Sequence, residues 1–185
     1  MGITLCAYNT KQYDLVLEYA HLSESNKDFR GESIVLQIIA GMYGNNSQVT
    51  NDSLAKLQDE DKELISDFNS YDWNYIISDA RNDKNSNAAL LIAFRWLDKL
   101  NWKPFTKYEI ADLRGEYLEA LLIEGNDKIR IKEILQEPIS PSVYAKLLID
   151  KRYSNIKEYI DVDNTSPRRE IVINMMLKHV STPQL

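Results

Sequence analysis

The sequence predicts an all-α protein built as a stack of helical hairpins. Six glycines and five prolines among 185 residues leave few helix breakers. Apolar positions recur at intervals of three and four, the period of one helix face. That pattern itself returns about every 27 residues, which points to repeated helical units rather than to one irregular chain path.

Each expected helix follows from its apolar positions and its ends. Residues 11–22 place Tyr13, Val16, Leu17 and Ala20 on one side, and residues 29–43 do the same with Ile34, Val35, Ile38, Ile39 and Met42, closed by Gly44. A third helix is expected over 52–68, with Leu54, Leu57, Leu64, Ile65 and Phe68, and a fourth over 71–80, with Trp73, Ile76, Ile77 and Ala80. The helix expected over 86–100 is apolar on all sides from Ala88 to Phe94, so it belongs in the middle of the structure. Thr106 and Glu109 form a capping box that starts a helix running to about Ile123. Asn126 is placed to cap a short helix ending near Gln136. Ser140-Pro141 and Ser166-Pro167 each set an N-cap before a proline at the first helical position, opening helices to about Asp150 and Val180. Between them lies a short segment over 154–160.

The repeat is read from anchors at Arg30, Glu60, Ser86, Leu113, Ser140 and Pro167, spaced by 30, 26, 27, 27 and 27 residues. Four and five positions beyond each anchor stand Ile34/Val35, Leu64/Ile65, Leu90/Leu91, Tyr117/Leu118, Tyr144/Ala145 and Ile171/Val172, all apolar or aromatic. Some identities recur as well. Tyr13, Val16, Glu18 and Tyr19 match Tyr153, Ile156, Glu158 and Tyr159, and Arg30-Gly31-Glu32 matches Arg114-Gly115-Glu116. The last two units, with Ser-Pro opening a helix and a short Ile-Lys-Glu helix nearby, resemble divergent HEAT-type repeats. The resemblance implies an α-solenoid-like stack of about six units in which each hairpin touches its neighbours and the whole presents an extended binding surface. An irregular single-core helical bundle is the alternative. Either way residues 1–185 are expected to form a single all-helical domain.

Composition narrows function chiefly by exclusion. A single cysteine, Cys6, and two histidines, His21 and His179, leave no disulfide framework and no clustered Cys/His zinc pattern. The formal charge of −6 argues against general affinity for nucleic acid. The chain has no run long and apolar enough for a spanning helix, and no basic leader followed by an apolar stretch at its start. A cytoplasmic protein with no membrane partner is therefore expected. Glu18 and His21 form one Glu-x-x-His, but the second copy that a di-iron bundle needs is absent. No glycine-rich phosphate loop occurs. No enzyme, metal or cofactor is expected on these grounds; the weaker alternative is a metal-dependent helical enzyme using Asp72, Asp79 and Asp83.

Charge placement is the positive signal. Residues 50–83 hold nine acids against Lys56, Lys62 and Arg81, a sum of −6, so the rest of the chain is neutral. On a continuous helix over 52–68, Asp59, Glu63 and Asp67 at i, i+4 and i+8 line one face opposite Leu57, Leu64, Ile65 and Phe68. Glu60 and Asp72 extend that charge. Tyr71, Trp73 and Tyr75 follow directly, with Trp73 assigned to the core, while Trp102 beside Lys103-Pro104 is expected to be an exposed anchor. These residues predict a non-enzymatic protein that binds another protein with a basic surface, as an inhibitor or immunity-type partner of a toxin or nuclease. The alternative is an adaptor or subunit of a larger assembly.

Overall fold

In the computed structural model, which describes residues 11–159, nine α-helices and three 3-10 turns account for all the regular structure of those residues, and the protein is all-α. The chain divides into two compact units, one up to Phe105 and one from Thr106 onward. The helix expected after Ser166-Pro167 lies outside the described residues, as do Cys6 and His179.

The first unit holds α1 (Tyr13–Glu24), α2 (Arg30–Tyr43), α3 (Ser47–Lys56), α4 (Lys62–Ile65), α5 (Ser70–Arg81) and α6 (Ser86–Lys99). Consecutive helices pack in pairs, α1 on α2, α2 on α3 and α5 on α6, with α3 also against α5. Ile34, Ile38, Leu54, Ile65, Trp73, Ile76, Ile77, Phe94 and Leu97 are all fully buried. Each buried Ile or Leu contributes about 1.5–3 kcal/mol of transfer free energy, so this apolar set dominates the stability of the unit. The all-round apolar run 88–94 has no exposed member, as its composition requires.

The corner between α2 and α3 shows how sequence sets the approach of two helices. A Cβ on Gly41 would stand 2.6 Å from Thr50 Oγ1 and 2.8 Å from the Thr50 amide nitrogen, so only glycine lets the backbones come this close. Gly44 ends α2 with an ordinary negative φ. Asn45, with φ of 54°, makes the left-handed step in its place. Asn46 then caps α3 by accepting a hydrogen bond from the Val49 amide.

The helix expected over 52–68 is broken, which corrects the sequence reading. α3 stops at Lys56, Leu57 and Gln58 are extended, Asp59–Asp61 form a 3-10 turn, and α4 is a single turn. Leu57, Ile65 and Phe68 still reach the core, but Leu64 is 36% exposed.

The second unit contains α7 (Lys107–Glu124), α8 (Lys128–Gln136), α9 (Pro141–Ile149) and a 3-10 segment over Lys151–Glu158. The Thr106–Glu109 capping box forms as expected, and its hydrogen bonds hold the Glu109 carboxyl below its ordinary range. α8 is capped one residue later than expected, by Asp127 accepting from the Arg130 amide. Leu113, Tyr117, Leu118, Leu121 and Leu122 of α7 are buried, and so are Tyr153 and Ile156 of the 3-10 segment.

Tyr153 ties these pieces together. Its hydroxyl donates to Glu119 Oε2 at 2.8 Å, and Lys146 Nζ donates to both oxygens of the same carboxylate at 2.7 Å. Burial, and then the bond to Glu119, push the Tyr153 phenol up to about 12 from its ordinary 10.0. The folded state thus holds this proton more tightly than the unfolded chain. The stabilisation is complete below the ordinary value and is lost as pH rises from there through the folded value. Tyr153→Phe is expected to cost about 1.5–3 kcal/mol near neutrality, the range for a hydrogen bond to a charged group. Denaturant titrations across the alkaline range should show the gap between wild type and variant closing; a constant gap would show that the phenol proton is not involved.

Candidate protein-docking surface

The acids singled out from the sequence lie in the broken segment between α3 and α5. Asp59, Glu60, Glu63 and Asp67 are exposed, while Asp72 is half-buried at the start of α5. Because α3 ends at Lys56, Asp59, Glu63 and Asp67 do not share one helix face: Asp59 belongs to the 3-10 turn, Glu63 to α4, and Asp67 to the following bend. The charge is therefore presented on a succession of turns, which corrects the expected stripe.

Asp61, one of the nine acids, points the other way and anchors the segment. It is 6% exposed, pairs with Arg30 Nη1 at 2.9 Å and accepts from the Gln58 amide at 2.8 Å. A second Arg30 nitrogen donates to the Lys56 carbonyl, at the end of α3. Gly31 makes room, since a Cβ there would meet Asp61 Oδ1 at 2.5 Å. Arg30 thus fixes both the last turn of α3 and the acidic turn, leaving the neighbouring carboxylates outside.

Their ion pairing differs. Asp59 pairs with Lys99, whose ammonium also sits 4.6 Å from the Trp96 ring centroid. Among the described residues Glu60, Glu63, Asp67 and Asp72 have no cationic partner. Asp72 is engaged by neutral donors, accepting from the Asn69 amide at 2.9 Å in the capping box of α5 and from the Tyr43 hydroxyl at 3.3 Å. Lys56, at the end of α3, is committed elsewhere. It pairs with Glu24 at 3.1 Å beside the fully buried Gln37. Burial opposes ionisation of Glu24, but hydrogen bonds from Gln37 and Lys56 together with the Lys56 charge outweigh it and hold the carboxyl below its ordinary value.

Trp102 does not belong to this surface. It is 2% exposed, contrary to its expected role as an anchor. Asn101 and Trp102 are both left-handed, with φ of 54° and 60°, so the chain doubles back after α6. The Trp102 amide donates to the Leu97 carbonyl at 2.8 Å. Its ring lies 6.4 Å from that of Phe94, centroid to centroid, and its Nε1 donates to Asp98 Oδ1 at 3.2 Å. Trp73 is fully buried, as expected.

The sequence places Tyr71 and Tyr75 after the acids, but it does not show that Tyr13 and Tyr43 join them. Tyr13 of α1 stacks on Tyr43 of α2 at 6.2 Å, Tyr43 stands 6.2 Å from Tyr75 of α5, and Tyr75 meets Tyr71 edge-on at 5.5 Å. Tyr71 is 67% exposed, and Tyr43 and Tyr75 are about two-fifths exposed. Only the Tyr71/Tyr75 spacing of four was visible locally; the other contacts join three helices distant in sequence.

Asp79 and Asp83, the remaining candidates of the metal alternative, are bound to other side chains. Asp79 accepts from Ser47 at 3.0 Å, and Asp83 accepts from Asn51 at 2.9 Å and from the Asn85 amide at 2.7 Å. The Asn85 bond foremost, and then Asn51, hold the Asp83 carboxyl below its ordinary range. Among the described residues no group of three or more His, Cys, Asp or Glu is placed to hold a metal ion, and no helix is long and apolar enough to cross a membrane. Comparison with known proteins gives no match: no family model fits the chain, and neither a curated protein nor a solved structure matches it. Fold and surface together define an all-α protein with a concentrated acidic segment.

Proposed function

We propose that this protein is a non-enzymatic binding protein whose acidic segment docks a partner with a basic surface. One observation carries the reading: Glu60, Glu63 and Asp67 are exposed on adjoining turns and form no ion pair among the described residues, while the buried Asp61–Arg30 pair holds the turn that bears them. Uncompensated charge of one sign steers an oppositely charged partner and speeds association. The favoured subclass is an inhibitor or immunity-type protein that holds a basic toxin or nuclease; an adaptor within a larger assembly is the second. A HEAT-like succession of hairpins would suit either.

Reversing Glu60, Glu63 and Asp67 to lysine is the test. Because these side chains face solvent, stability should change by only about 0.5 kcal/mol. Proteins captured by the wild type should be lost from the variant. The association rate of the wild type with a captured partner should fall steeply with added salt, since exposed charges act over a screening length of about 8 Å at physiological ionic strength. Equal capture by both forms, or a rate indifferent to salt, would remove the proposal.

A further inference from the structure

We infer that the tyrosine ladder Tyr13–Tyr43–Tyr75–Tyr71 is a recognition platform for arginine side chains of the partner. The inference rests on the acidic docking reading and adds what that reading lacks, a basis for preferring one kind of cation.

The four rings join helices α1, α2 and α5 in a continuous row whose successive centroids lie 6.2, 6.2 and 5.5 Å apart. Side chains on one face of an extended chain recur about every 6.7 Å. A segment with a cation at every second position therefore keeps near register with the row. A helix, whose same-face neighbours three and four residues apart stand about 5–6 Å from one another, matches the spacing as well, so the row accepts cations from either backbone form and the chemistry of the cation decides.

Charge selects the occupant. Asp72 lies within the row, bonded to the Tyr43 hydroxyl at 3.3 Å and free of any cationic partner among the described residues. Asp14 follows Tyr13 in the first turn of α1 and is exposed. Aromatic faces attract cations through the ring quadrupole, and the planar guanidinium both stacks on a ring and offers a fork of donors to a carboxylate. Lysine provides a point charge without the stacking plane. Tyrosines with carboxylates interspersed thus favour arginine over lysine, whereas the carboxylates of the acidic turn attract either.

The test titrates the full chain at low salt with a peptide of alternating arginine and serine and with its lysine analogue. Binding is read by fluorescence polarisation and by the NMR signals of the tyrosine rings. The arginine peptide should bind about tenfold more tightly than the lysine analogue and should shift the ring signals. Tyr71→Leu with Tyr75→Leu should erase the preference for arginine, while Tyr75→Phe, which keeps the ring, should retain it. Suppose arginine and lysine peptides bind equally, lose binding together on reversal of Glu60, Glu63 and Asp67, and ignore the tyrosine variants. The ladder inference then fails and acidic docking stands. If no peptide binds even at low salt, both fail.

Discussion

Trp102→Ala is expected to lower the unfolding free energy by about 3–5 kcal/mol, the cost of deleting a large buried aromatic ring. Three losses combine. The ring's packing against Phe94 disappears, a cavity opens beneath the end of α6, and Asp98 loses the indole donor at 3.2 Å. Alanine also keeps the left-handed backbone, which costs about 1–2 kcal/mol for any residue with a Cβ. Trp102→Gly removes that strain and so should recover part of the loss. Urea denaturation of the two variants measures both terms. Partner binding per folded molecule should be unchanged, because the side chain is not at the surface. A variant with native stability and lost binding would restore Trp102 to the role of exposed anchor.

The fate of Trp102 illustrates what a linear sequence can convey. Where structure is governed by neighbours three or four residues apart, it was legible: the Thr106–Glu109 box, the Ser140-Pro141 start and the core faces of α2, α5 and α6 all follow from local spacing. Trp102 failed because nothing in Asn-Trp-Lys-Pro announces two successive left-handed residues, and neither of the two is a glycine. The break after Lys56 failed for a different reason. Leu54, Leu57, Leu64, Ile65 and Phe68 keep helical spacing across it, and no proline or glycine interrupts them. What ends α3 is the hydrogen bonding of Gln58, Asp61 and Lys56, completed by an arginine 31 positions before Asp61. The acidic content of the docking surface was readable from composition. Its division into exposed acids, a buried anchor and adjoining tyrosines depends on contacts that spacing does not encode.

That anchor gives the other large expected effect. Arg30→Ala should destabilise the first unit by about 3 kcal/mol, the lower end of the cost of stranding one member of a buried ion pair. The lower end applies because the Arg30 side chain is 27% exposed, so water can enter part of the vacated space, whereas the Asp61 side chain is 8% exposed and remains enclosed. The stranded carboxylate would keep only the Gln58 amide as a donor, and the Lys56 carbonyl would lose its arginine. Pairing the charge-free change Asp61→Asn with Arg30→Met should recover most of the loss. Asparagine can still accept from Gln58, methionine fills much of the arginine's volume, and no unpaired charge stays inside. A double-mutant cycle by denaturant titration gives the coupling between the two positions. Hydrogen exchange gives its location: the Gln58 amide should exchange faster in Arg30→Ala and return toward the native rate in the double variant. If Arg30→Ala instead leaves both stability and Gln58 protection at native levels, the acidic turn is held by its own local bonds, and the long-range ion pair does not position it.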